Sequence, residues 1–269
     1  MFNEIVRAEI WLQDTLDSQE SIAALAERLG YSTSQVRRRF RQYFGMSPSA
    51  YREALRLEKA SRLLVHTPLG IGEVARRSGY TNHSAFSRAF LRRFRRSPRE
   101  HRQLGRTALA EATSGARMAF SPRIQRVAPC SAVVARQYEP SAALPAPDSW
   151  LKSLGGYQLP LPGAPERAAA IMLLHAPCPE TALPRRDIGV LVDSRAADSL
   201  AIPPSLRLLQ LPEARLACLD LPDPAELEPT LARVLATLPE ISEHYSGDPV
   251  RLIKGASGVE LQLPLLEIG

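Results

Sequence analysis

A block of residues occurs twice in the first hundred positions of this chain, offset by roughly fifty, and that repeat constrains the fold more than any other feature. One copy reads Ile22-Ala23-Ala24-Leu25-Ala26-Glu27-Arg28-Leu29-Gly30-Tyr31, the other Ile71-Gly72-Glu73-Val74-Ala75-Arg76-Arg77-Ser78-Gly79-Tyr80. Each predicts a short amphipathic helix closed by glycine, the residue that accepts the left-handed backbone after a helix end. Each then restarts at a capping residue: Ser32, with Gln35 three positions on as a capping box, and Thr81 in the equivalent place. The second helix of each copy carries aromatics four apart, Phe40 and Phe44, then Phe90 and Phe94. Both copies close on Ser-Pro, at Ser47-Pro48 and Ser97-Pro98.

Two helices joined by a tight glycine turn form a helix-turn-helix, whose second helix enters the major groove of DNA. An ordinary αα-hairpin accounts for Val36, Phe40, Phe86 and Phe90 as packing. It does not account for the opposite faces, which carry Arg37, Arg38, Arg39 and Arg41 in one copy and Arg88, Arg92, Arg93, Arg95 and Arg96 in the other. Like charges at i,i+4 weaken a helix unless an anion neutralises them. Between the copies, Tyr51, Leu55, Leu63 and Leu64 predict one helix over 48–65. About 18 residues at 1.5 Å each make a strut of roughly 27 Å, able to place two recognition helices about one DNA turn apart.

Charge divides the chain at the same place. Residues 1–106 hold 20 Arg or Lys against 10 Asp or Glu, a net of +10; the remainder holds 14 against 18, a net of −4, and the two sum to the chain's +6. Nineteen of those 20 cations are arginine, whose planar fork suits phosphate and guanine. Three prolines lie at or before Pro98 and twenty from Pro122 onward, so a helical first part gives way to short broken segments. The expected organisation is therefore multi-domain. Residues 1–106 form an all-α DNA-binding domain with helix-turn-helix units at about 21–45 and 70–95, residues 107–121 a linker, and residues 122–269 a second domain.

The run Ala23 to His101 resembles the DNA-binding domain of AraC/XylS-type regulators. Its second half, Ile71-Gly72-Glu73-Val74-Ala75, Ser78-Gly79-Tyr80, Phe86-Ser87-Arg88-Ala89-Phe90, Phe94 and Ser97-Pro98, fits that family's signature closely. With a lead-in helix around Ile5 to Leu16, the layout is most similar to the multidrug-resistance and right-origin-binding branch. That resemblance implies binding to promoter duplex DNA as a monomer and recruitment or repositioning of RNA polymerase. By position it implies that Ser34, Arg37 and Arg38 face base edges from the first recognition helix, and His83, Ser84, Ser87 and Arg88 from the second. Arg38 and Arg88 are the leading candidates for bidentate contact with guanine; Arg41 and Arg92 are expected at phosphates. Where close relatives often place a tryptophan and glutamines, this chain has Ser34, His83 and Ser84, so their operator sequence does not transfer.

A fainter repeat follows at an offset of 84 residues. Ala132-Val133-Val134-Ala135 leads through Tyr138-Glu139-Pro140 to an amphipathic stretch with Trp150, Leu151 and Leu154. Leu216-Ala217-Cys218-Leu219 leads through Pro222-Asp223-Pro224 to Val234, Leu235 and Leu238. Further strands are predicted at 187–192 and 259–265. Two strand-helix-strand units predict an α+β domain, an antiparallel sheet with helices on one side. The layout resembles the GyrI-like small-molecule-binding domain, which implies an effector cleft between two pseudo-repeats. Cation-binding relatives often carry a glutamate in a late strand; here the matching segment, 249–254, has no acid and ends in Lys254, which points to an anionic or neutral effector. The candidate pocket residues are Tyr138, Trp150, Tyr157, Asp187 and Lys254. Each also has a plain reading: Trp150 and Tyr157 as core or rim aromatics, Asp187 as the cap of a turn before its strand, Lys254 as a solvated surface residue.

No stretch is apolar for long enough to span a bilayer, and the N-terminus lacks a basic tip followed by an apolar run, so a soluble cytoplasmic protein is expected. Cys130, Cys178 and Cys218 form neither a disulfide framework nor a metal pair, and no cofactor is expected. An enzyme would need a nucleophile or activated water beside a positioned base. The second domain offers His175 and His244, neither in a Ser-His or Cys-His motif, so a non-enzymatic regulator is favoured over a hydrolase-like or protein-docking second domain.

Overall fold

The computed structural model describes residues 2–18, 20–113, 121–138, 147–150, 169–175, 184–193, 202, 206–255 and 258–267. The chain separates into two compact units, residues 1–106 and 107–269.

The first unit is helical: α1 (Phe2–Asp14), α2 (Ile22–Leu29), α3 (Thr33–Phe44), α4 (Pro48–His66), α5 (Ile71–Arg77), α6 (His83–Phe94) and α7 (Pro98–Thr113). Local chemistry sets most boundaries. Ser21 and Ser47 cap α2 and α4 through Ala24 N and Ala50 N, and Pro48 supplies the preset φ of a first helical position. Ser32 and Gln35 form the expected capping box on α3. The second helix-turn-helix differs from expectation: Asn82, not Thr81, caps α6, its side chain accepting from Ser84 N at 2.8 Å and Ala85 N at 3.0 Å. An Asn carbonyl one residue nearer the helix reaches two orphan donors, which explains the displacement. Helix α7 continues through 107–113, so the first part of the expected linker is helical.

Val36, Phe40, Phe86 and Phe90 are fully buried, as packing positions should be. In the second helix-turn-helix, α4 contributes Leu57, Ala60, Leu63 and Leu64 to a core completed by Val74, Ala75, Phe86, Ala89, Phe90 and Phe94. The first uses Phe40 and Phe44, whose ring centroids lie 4.6 Å apart, with Tyr51 stacked on Phe44 at 5.7 Å. Arginines of α4 tie down what precedes α2. Arg56 donates to Leu16 O at 2.9 Å and Ser18 O at 3.0 Å, and buried Arg52 donates to Glu20 O and lies over the Trp11 ring.

Among the described residues, the second unit beyond the end of α7 is an eight-stranded antiparallel sheet with one α-helix. The strands are β1 (Arg123–Val127), β2 (Cys130–Tyr138), β3 (Ala170–Leu174), β4 (Arg185–Val192), β5 (Arg207–Leu211), β6 (Ala214–Leu221), β7 (Val250–Lys254) and β8 (Val259–Pro264), and the helix is α8 (Leu227–Thr237). Their order is β1-β6-β8-β7-β3-β4-β2-β5. Side chains alternate across the sheet. One face sends Val133, Ala135, Met172, Ile188, Val190, Leu219, Leu252 and Leu261 into a core with Leu231 and Val234 of α8. The other face carries Ala132, Val134, Ile171, Leu173, Leu211 and, partly buried, Ile253. The expected helix at Trp150–Leu154 falls, after Trp150, outside the described residues, as do Tyr157 and Cys178.

Candidate nucleic-acid interface

Each helix-turn-helix buries one side of its second helix and leaves the other to solvent. On α3, Val36, Phe40 and Phe44 are buried, while Ser34, Arg37, Arg38 and Arg41 are exposed. On α6, Phe86, Ala89, Phe90 and Phe94 are buried; His83, Ser84, Arg88 and Arg92 are exposed and Ser87 is half-buried. The nine candidate positions therefore lie on two solvent faces, away from the core.

Their electrostatic states differ. Among the described residues, Arg37, Arg38, Arg41 and Arg88 make no hydrogen bond or ion pair with the protein. Arg92 donates to Glu53 at 2.9 Å in an exposed pair, a weak tie in water. Two arginines assigned to these faces from sequence belong elsewhere. Arg39 is half-buried, its guanidinium 4.4 Å above the Tyr31 ring and 3.7 Å from Glu4. Arg96 is half-buried and donates from Nε to Phe94 O. Arg39 points off the polar stripe because consecutive helical residues turn by about 100°, whereas Arg96 lies beyond the left-handed cap that ends α6.

Several other arginines of the first unit have structural partners. Arg102 donates to Leu64 O and Leu69 O, and Arg106 to Val65 O and Thr67 O, so α7 arginines satisfy carbonyls at and beyond the end of α4. On α5, Arg76 and Arg77 both grip Glu73, and their hydrogen bonds hold its carboxyl down at about 2.

In the second unit the described candidate pocket residues fall on both faces of the sheet. Trp150 is fully buried in the core beside α8, a packing position. Lys254 is half-buried and pairs with Ala170 and Val259, both on that same core side. Asp187 alternates to the opposite face, inside β4 and not at a turn before it. Tyr138, at the end of β2, is half-buried opposite Arg185.

Asp187 is the centre of a cluster that sequence did not foretell. Arg136 donates to its two oxygens at 2.6 and 3.0 Å, Arg207 at 2.6 Å, and His175 Nε2 lies 2.6 Å from Oδ2. Burial alone would raise the Asp187 pKa, but Arg136 and His175 outweigh it and hold the carboxyl well below its usual range. Burial, with Arg136 beside it, pulls His175 down to about 4. A neutral His175 then donates from Nε2 to Asp187, and its 3.2 Å approach to Arg136 is a packing contact, since a protonated Nε2 cannot accept. The detectable signal was the alternation of β2: Ala132 and Val134 are apolar, and Arg136 continues the same buried face. Among the described residues no cluster of His, Cys, Asp or Glu could hold a metal, and no helix is long and apolar enough to cross a membrane.

Comparison with known proteins bears on the first unit. Residues 25–104 match the family described as a helix-turn-helix domain. A 101-residue stretch is 37% identical to the HTH-type transcriptional activator RhaS of Salmonella arizonae, covering 38% of this chain and 36% of that protein. The match thus spans about a third of the length of such relatives. Among solved structures, the C-terminal domain of AraT, a response regulator from Geobacillus stearothermophilus, is 32% identical over 38% of this chain and 84% of its own, with a TM-score of 0.37. The DNA-binding domain of AdpA, a global transcriptional factor in complex with a target DNA, is 29% identical over 39% and 94%, with a TM-score of 0.37.

Proposed function

We propose that residues 25–104, which match a family described as a helix-turn-helix domain, form an AraC-type DNA-binding domain, and that this chain is a sequence-specific DNA-binding transcription regulator. The observation that carries the reading is the pair of solvent faces on α3 and α6, where Arg37, Arg38, Arg41 and Arg88 have no protein partner among the described residues. Such arginines are ready for an anionic duplex without breaking native contacts. Ser34, Arg37 and Arg38 read bases from α3; His83, Ser84, Ser87 and Arg88 read them from α6. Arg41 and Arg92 position the helices on phosphates. Helix α4, at 19 residues about 28 Å long, links two units that read successive major-groove faces. Promoter DNA and RNA polymerase are the macromolecular partners.

The second domain is an effector-binding domain of the GyrI-like kind. Its strand order supports this: β6-β8-β7 on one side mirrors β2-β4-β3 on the other, with α8 between β6 and β7. A small molecule bound there controls the DNA-binding domain. A hydrolase-like role has less support, because His175, the buried base, is engaged with Asp187.

The test is selection of duplexes from a random pool by the full chain at near-physiological salt, with Arg38→Ala and Arg88→Ala in parallel. Two short boxes about 10 base pairs apart, one relaxed by each substitution, are expected. Binding that is salt-sensitive but leaves the pool random would reduce the domain to a nonspecific DNA clamp.

A further inference from the structure

One cross-strand row runs over the sheet face turned away from α8. Register places Arg136 beside Asp187, Asp187 beside Leu173, Leu173 beside Arg251, Arg251 beside Gln262, and Gln262 beside Cys218. The two ends of this row are chemically complete. Asp187 is surrounded by donors, and Gln262 donates to Glu260 at 2.6 Å while Cys218 accepts from Gln125. Arg251, in the middle, is not.

The Arg251 side chain belongs to a residue only 7% exposed, yet among the described residues it has no hydrogen bond and no ion pair. Asp248 lies within electrostatic reach but not in contact; its own carboxylate accepts from Ser246 at 2.8 Å. Burial pulls the guanidinium below the ordinary arginine value, with Cys130, Asp248 and Cys218 only partly opposing. A charge largely removed from water without a counter-charge costs stability. Leu173 across the strand pair and Ile253 two positions along share its face and are apolar.

We propose that this face is a binding site for a small organic monoanion, whose carboxylate is held by Arg251 and whose apolar body lies beside Leu173 and Ile253. A carboxylate on the fork of Arg251 satisfies its donors bidentately and supplies the missing negative charge. One uncompensated guanidinium with Leu173 and Ile253 on its apolar side and the amide of Gln262 on the other favours a single carboxylate on a partly apolar frame over a multiply charged phosphate. The proposal rests on the effector-domain reading and assigns that domain its ligand chemistry. It also moves the positive determinant from Lys254, on the core side, to Arg251.

The test uses the full chain and follows thermal stabilisation and calorimetric binding. The probes are 2-naphthoate, its primary amide, 2-naphthylmethylamine and inorganic phosphate. Naphthoate should bind at least about tenfold more tightly than the amide, the value of one charge-assisted pair, with the amine and phosphate weaker still. Arg251→Met should abolish that preference while raising the melting temperature of the unliganded protein, since a buried unpaired charge is gone; Arg251→Lys should keep part of the preference. Equal binding of naphthoate and amide, no binding of naphthoate, or an unchanged preference in Arg251→Met each overturns the assignment. Duplex binding measured with and without naphthoate separates the two readings. Bound naphthoate that leaves DNA affinity unchanged keeps the anion site and removes its control of the first domain. An amine that binds and shifts DNA affinity keeps the effector domain and overturns the anion assignment.

Discussion

Arg95 ends α6 with φ +57°, at the position where Gly45 ends α3 with φ +74° in the first helix-turn-helix. Left-handed backbone costs an L side chain roughly 1–2 kcal/mol, and glycine escapes that cost. Arg95 is exposed, beside the face we assign to DNA, and has no protein partner among the described residues to offset the strain. Arg95→Gly should therefore stabilise the protein by about 1 kcal/mol. It should also weaken binding to every duplex alike, lowering the salt dependence by about one counterion. Denaturant melts paired with binding at two salt concentrations check both parts.

Gly30 and Gly79 close the first helix of each unit at φ +70° and +81°. A Cβ at Gly30 meets nothing within 4 Å, whereas one at Gly79 lies 2.3 Å from Leu16 O and 2.7 Å from Arg56 Nε. The Arg56–Leu16 hydrogen bond occupies the space a methyl group would need. Gly30→Ala should cost about 1 kcal/mol for backbone strain alone. Gly79→Ala should cost clearly more, because a backbone carbonyl must move. Equal melting temperatures for the two variants would contradict this ordering.

Arg38 and Arg39 are adjacent and should behave oppositely. Arg39→Ala removes the stack on Tyr31 and the contact with Glu4, a loss of about 0.5–1 kcal/mol of stability. It should leave base preference unchanged. Arg38→Ala should leave the melt unchanged and cost about 1–3 kcal/mol of discrimination at one base pair. Selection from a duplex pool alongside thermal melts separates these outcomes.

The first domain was legible because its signals are local. Periodic apolar residues, the capping box at Ser32 and the glycines at helix ends each act within a turn or two. What stayed hidden was which arginines are committed. Arg52, Arg56, Arg102 and Arg106 reach carbonyls more than thirty residues away, and nothing in a count of charge separates them from Arg38 or Arg88. The same holds more strongly in the sheet. Arg136, His175, Asp187 and Arg207 meet only once four segments pair, so each looked ordinary alone. Lys254 drew notice from its place in a late strand, whereas the register turns Arg251, three residues earlier, to the other face.

Asp187 and Arg251 stand in one cross-strand row and should respond to loss of charge in opposite directions. Asp187→Asn leaves Arg136 and Arg207 facing a neutral amide in a buried site, and breaking such a cluster costs about 3–5 kcal/mol. Arg251→Met removes a charge that has no partner and should not destabilise. Because the Asp187 pKa is lowered on folding, its contribution is present above its unfolded value near 3.9. It disappears only as acid drives the pH down through the depressed folded value. Urea melts of both variants at neutral pH settle the ordering.

His66 gives the first domain a pH dependence at milder acidity. It is the last residue of α4, where the helix dipole favours an imidazolium, yet burial, Arg62 and Arg106 together pull its pKa down to about 4. The unfolded value is about 6.5, so between those limits the unfolded chain binds a proton that the folded one does not. Stability from this group is complete above pH 6.5, falls by about 2 kcal/mol at pH 5, and is lost as pH drops through 4. His66→Gln should flatten this part of the profile without altering duplex selection at pH 7.5. An NMR titration placing the His66 imidazole near 6.5 in the folded protein would show that the two neighbouring arginines and burial do not act on it as described.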